Sequence, residues 1–227
     1  MVLGPVMPQT TDLAGIADTL TFLTSDYELE FKDPLCQMNH LSNEDYYQRW
    51  HSELEQLLEN YDAFFGFSFG GVILQQCLSL FAEKNKPIVL FSTPSYKDLL
   101  LEKKLSQVIG LCQKRQMQAA LRTLYQDVFY PNALLNEDFR LDDEENAASR
   151  LIFGLERVLM TDARPLLSQT TVFHLHLIGE CSHLVNHDNV VAPHTGQLLT
   201  VPGAGMRVLQ DNPVFCQNAI LKRLEGA

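Results

Sequence analysis

Residues 61–80, YDAFFGFSFGGVILQQCLSL, restrict the fold more than any other stretch of the chain. A short apolar run (Ala63, Phe64, Phe65) meets Gly66-Phe67-Ser68-Phe69-Gly70-Gly71, and an apolar stretch of helical length follows without a spacer. That order reads as strand, sharp turn, helix. A serine at such a turn, in a G-x-S-x-G sequence, has neighbours that let other backbone approach with no Cβ in the way. The helix N-terminus behind it offers backbone N–H groups and the positive end of the helix dipole to developing negative charge. Ser68 is therefore a candidate nucleophile and the Phe69 N–H a candidate oxyanion donor.

The remaining chain alternates. Val2-Leu3 before Gly4-Pro5 suits a strand that ends in a loop, residues 12–23 carry apolar side chains at helical spacing, and residues 27–31 alternate like a strand closed by Asp33-Pro34. Ser42 with Asp45 three residues on resembles a capping box for a helix whose apolar stripe runs through Tyr47, Trp50, Leu54 and Leu58. Pro87-Ile88-Val89-Leu90-Phe91 is a continuous apolar run of the kind buried in a parallel sheet. Three helical stripes then follow with no strand between them, so residues 97–160 read as a helical insertion, with an acidic connector at 136–146. Strands are predicted again at 171–178 and 197–201, and Asp211-Asn212-Pro213 opens a last helix. Alternating β and α units predict an α/β fold: a mostly parallel sheet with helices on both faces, in one domain over residues 1–227.

Composition fits that reading and narrows the function. Of the 227 residues, 46% are hydrophobic and 20% charged, as in an ordinary globular protein. No apolar run is long enough for a membrane helix, and the first residues lack a signal-peptide pattern, so the expected address is cytoplasmic. The formal charge of −11 opposes binding to nucleic acid or to anionic membranes. Five widely spaced cysteines without a C-x-x-C suggest neither a disulfide framework nor a zinc site, and no cofactor is expected.

The GFSFGG turn in this setting is similar to the nucleophile elbow of the α/β-hydrolases, and the chain resembles small bacterial esterases and thioesterases of that fold, such as the pimeloyl-carrier-protein methyl ester esterases. His176-Leu177-Ile178-Gly179-Glu180 resembles the strand before the family's acid loop, and Pro202-Gly203-Ala204-Gly205 the turn before its histidine. The resemblance implies that the insertion is a lid over Ser68. It also implies a catalytic acid where this chain has Ser182, a general base where it has Met206, and a backbone oxyanion donor where it has Pro5, which has no N–H. Three positions of the machinery thus depart from the pattern, while Gly66, Ser68, Gly70 and Gly71 keep it.

Two readings stay open. In the first, the chain is a degenerate hydrolase that binds an acyl or ester-like ligand, or an acidic partner, with little or no turnover. In the second, it is an active ester or thioester hydrolase that uses Ser68 with a non-standard base, for which His183 and His187, between the last two strands, are the candidates. His174 and His176 have metal-like spacing without a carboxylate cluster and read as packed histidines, and His40 and His51 carry no signal. Residues 97–125 hold six basic side chains against two acidic ones. Lys103, Lys104, Lys114 and Arg115 read either as solvated helix faces or as a docking face for an acidic partner, for which the resemblance to carrier-protein esterases implies an acyl carrier protein.

Overall fold

A computed structural model describes residues 1–38, 42–135 and 138–226. Strands β1 (Val2–Leu3), β2 (Phe31–Lys32), β3 (Phe64–Phe67), β4 (Ile88–Phe91), β5 (His174–Gly179) and β6 (Gly196–Val201) pair in the order β2-β1-β3-β4-β5-β6, every pair parallel. The chain starts inside the sheet, steps out to β2, then returns past β1 and proceeds to β6. The strand order therefore reverses between β1 and β3, and in an open α/β sheet the crevice at the carboxyl ends of those strands is where ligands bind.

Alternation along the strands feeds two cores. Leu3, Phe64, Leu90 and Ile178 point to one face, under helices α2 (Asn43–Leu57) and α3 (Phe69–Gln76). Val2, Phe65, Val89, Leu175 and Leu177 point to the other, beneath α1 (Ala14–Thr19) and α9 (Pro213–Glu225). The expected caps are in place: Ser42 Oγ accepts from Asp45 N–H at 3.0 Å, and Asn212 Oδ1 from Phe215 N–H at 3.3 Å.

The insertion consists of α4 (Leu99–Gln113), α5 (Met117–Phe129) and α6 (Glu144–Met160). Their apolar stripes, among them Leu101, Leu105, Leu121 and Leu151, join the core on the α3 side of the sheet. Its two ends meet, since Ala163 N–H donates to Ser95 O at 2.7 Å. A buried ion pair fastens its far helix to the body: Arg150 lies 2.9 Å from Asp33, which also accepts from Thr10 Oγ1, while Arg150 Nε donates to Met7 O. Asp143, within the acidic stretch, caps α6 by accepting from Asn146 N–H.

Some elements differ from the sequence reading. The helix expected over residues 12–23 is broken into a 3-10 turn (Thr10–Leu13), α1 and a second 3-10 turn (Thr21–Leu23). Thr19, Thr21 and Thr24 each turn a hydroxyl back onto a carbonyl three residues earlier, a local bond that competes with a continuous helix. The strand expected at 27–31 pairs only at Phe31–Lys32. Two one-turn helices, α7 (Arg164–Leu167) and α8 (Val208–Asp211), carry no periodic signal. His40 and part of the acidic connector lie outside the described residues. No helix among the described residues is long and apolar enough to cross a membrane.

Candidate active site

Ser68 joins β3 to α3 with φ 47° and ψ −107°. A non-glycine residue held in so sparsely populated a region costs on the order of 1–3 kcal/mol, which the surroundings must supply. Here they do: Ser68 N–H donates to Phe91 O at 2.8 Å, and Ser68 O accepts from Val72 N–H at 3.0 Å. The serine side chain is left half-buried on the wall of a cavity of about 850 Å³. Neither Ser68 Oγ nor the Phe69 N–H has a hydrogen-bond partner among the described residues.

Close packing accounts for the glycines around Ser68. A Cβ at Gly66 would lie 2.7 Å from Gly71 N, one at Gly70 would press on the Leu3 carbonyl, and one at Gly71 would strike the Thr93 side chain. The helix therefore sits directly on the ends of β1 and β4. Because Gly70 abuts Leu3 and Gly4, the segment after β1 runs beside the elbow, and Pro5 joins Ser68 on the cavity wall.

Ser182 and Met206 come together, Met206 on that wall. Met206 lines the cavity, and Ser182 Oγ is 4.0 Å from Met206 Sδ. Ser182 is buried and accepts from Val185 N–H at 3.2 Å, and the two loops are tied by Cys181 N–H to Ala204 O at 2.8 Å. The Met206 carbonyl takes the Ser92 hydroxyl at 2.8 Å. An alcohol and a thioether in contact cannot take a proton from Ser68 near neutral pH.

The candidate bases are elsewhere. His183 is exposed, stacks on Tyr130 with ring centroids 3.8 Å apart and faces Asp127 at 3.9 Å; His187 is exposed and bonded to Thr200 Oγ1 at 2.9 Å. Neither lines the cavity that Ser68 lines. His174 and His176 are fully buried in β5. His176 Nε2 accepts from Thr93 N–H at 3.2 Å, and burial pushes its pKa down to about 3, so the ring stays neutral. Among the described residues no group of three or more His, Cys, Asp or Glu side chains is placed to hold a metal.

The basic face of the insertion is thinner in space than in sequence. Lys104 forms a half-buried ion pair with Asp127, Lys97 pairs with Glu102 at 2.5 Å, and Arg115 approaches Glu145 at 4.0 Å. Lys103 and Lys114 stand exposed. Asp127 and Glu145 lie beyond the counted segment, so the sequence count could not include them.

Two charged residues on the cavity wall went unread in the sequence, Asp12 and Arg207. Asp12 accepts from Gln9 N–H at 3.2 Å, and burial raises its carboxyl pKa. The Arg207 guanidinium lies 3.7 Å over the Phe129 ring, with Asp211 Oδ1 at 3.8 Å. The available signal was its place directly after Gly205-Met206, the turn already singled out.

No family model and no curated protein matches the sequence. Solved structures do match. MGS-M2, an alpha/beta hydrolase enzyme from a Medee basin deep-sea metagenome library, superposes with a TM-score of 0.73 at 12% identity, over 99% of this chain and 88% of its own. A thermophilic esterase gives 0.67 at 17% identity, over 99% and 88%, and MenH from S. aureus 0.65 at 14%, over 100% and 94%. The chain has the α/β-hydrolase fold. These identities carry the fold alone.

Proposed function

We propose that this chain binds an acyl or ester-like ligand in the Ser68 cavity, beneath the insertion acting as a lid, and turns it over poorly or not at all. The contact between Ser182 and Met206 carries the reading. The two side chains meet at the positions where the resemblance implies acid and base, Met206 on the cavity wall that Ser68 shares, and neither can activate a hydroxyl. Loss of triad members costs on the order of a millionfold in turnover, and a missing oxyanion donor at Pro5 about 10²–10³ more. The cavity, about 850 Å³ and walled by side chains such as Leu105, Leu124 and Val158, lies within the roughly 300–1,000 Å³ of small-molecule sites and suits an apolar chain.

A second reading, an active ester or thioester hydrolase with Ser68 as nucleophile, draws support from one observation. The chain keeps a serine, not a glycine, at φ 47°, with the Phe69 N–H open beside it. In that case His183 or His187 must leave its present partners to reach the cavity. Labelling with a fluorophosphonate separates the two. The first reading expects slow or no labelling of the wild type. Rapid labelling that Ser68→Ala abolishes would overturn it, and its loss in His183→Ala or His187→Ala would identify the base. We also propose Lys103 and Lys114 as the part of the lid still free to steer an acidic partner.

A further inference from the structure

We infer that Arg207 is the head-group anchor of this cavity and that the ligand it selects is a free carboxylate on an apolar chain rather than a neutral ester. The inference rests on the ligand-binding reading above. Arg207 is one of two charged residues among the described residues that line the cavity, in a wall otherwise dominated by aliphatic and aromatic side chains. Its guanidinium carbon lies 3.7 Å over the Phe129 ring, a cation–π contact that holds the head group in place. Its Nε is buried with no acceptor among the described residues.

Asp211 does not meet that need. Its Oδ2 accepts from Gly205 N–H at 2.9 Å and its Oδ1 from Asn132 Nδ2 at 2.7 Å, so the carboxylate is engaged in fastening the turn before Met206 to the segment after α5. At 3.8 Å from the Arg207 Nη2 it forms a loose ion pair, beyond hydrogen-bond distance, and leaves the N–H groups of the guanidinium without an acceptor from it. Burial pulls the Arg207 pKa down, with Asp211 opposing, as for a partly dehydrated cation. A planar carboxylate matches the guanidinium fork with two parallel bonds, whereas an ester offers one weak carbonyl acceptor and no charge. Met206, next in the chain, brings the same wall to the cavity that Ser68 lines, so the alkyl chain of a ligand held at Arg207 enters the apolar space beneath α4, α5 and α6.

Calorimetric titration with dodecanoate and with 1-dodecanol tests this, both below their aggregation limits. The wild type should bind dodecanoate at least about tenfold more tightly than dodecanol, the scale of one charge-assisted hydrogen-bonded pair. Arg207→Gln should remove most of that preference while dodecanol affinity stays within about twofold, and Arg207→Lys should keep part of it. Dodecanol binding in the variants reports that their cavity is intact, and the wild-type ratio decides the matter even if both variants fail to fold. Equal wild-type affinities, or an unchanged preference in Arg207→Gln, would overturn the anchor and leave the apolar-ligand reading standing. If neither compound binds the wild type, both fall.

Discussion

Ser182 Oγ and Met206 Sδ, 24 residues apart in sequence, meet at 4.0 Å where the loops after β5 and β6 converge. Side chains at these positions can therefore hydrogen-bond each other if their chemistry allows. Ser182→Asp with Met206→His should create a carboxylate–imidazole pair beside Ser68 and raise hydrolysis of a short p-nitrophenyl ester by about tenfold or more, since a placed general base is typically worth 10²–10⁴. The gain should exceed the sum of the single changes. Pro5→Ala, by returning a backbone N–H to the wall, should add to it. A folded double variant with wild-type rates, with and without Pro5→Ala, would contradict the assignment of these positions.

Packing at the elbow predicts two different outcomes for neighbouring glycines. Gly71→Ala drives a methyl into the buried Thr93 side chain, and Gly70→Ala drives one into Leu3 backbone. Each should cost about 1–3 kcal/mol or more in urea denaturation. Thr93→Ala should recover part of the first loss, because Thr93 Oγ1 is the nearest atom it removes. No side-chain change can recover the second. Additive behaviour of Gly71→Ala and Thr93→Ala would refute the contact.

Stability should fall in acid through β5. The folded state holds His176 neutral, with its pKa lowered by burial from the ordinary 6.5 to about 3, while the unfolded chain takes up a proton below about pH 6.5. The unfolded state then binds more protons, so this contribution is complete above pH 6.5 and is lost as pH falls toward 3. Its slope is at most about 1.4 kcal/mol per pH unit. His176→Gln, which keeps an acceptor for Thr93 N–H, should flatten the dependence measured by urea denaturation between pH 6.5 and 4.5. An identical slope in wild type and variant would show that the ring is not held neutral.

If the insertion steers an acidic partner, the exposed Lys103 and Lys114 carry the effect, since Lys104 is engaged by Asp127. Reversing both to Glu should slow association with an acyl carrier protein and weaken its salt dependence. An unchanged on-rate, or no association of the wild type at low salt, would reject the role.

The middle of the sheet was readable because β3 and β4 are short, largely apolar runs, and Phe64 to Phe67 leads through Ser68 into a helix. The elbow serine was readable for the same reason. What could not be read is how separate loops meet. Nothing local to His183 announces that Tyr130 and Asp127 will hold it outside the cavity. Likewise nothing local to Lys104 announces a partner in α5. Periodicity also overstated the helix over 12–23, where threonine hydroxyls compete for the same carbonyls that a helix needs.

The hydrogen bond from Ala163 to Ser95 closes residues 96–162 into a handle at its foot, and the Arg150–Asp33 pair ties its far helix back to the body. The β4-to-β5 connection is thus already made at the foot of the handle, whatever its length. A change in the length of the handle is therefore absorbed above that foot and leaves the register of β4 against β5 alone.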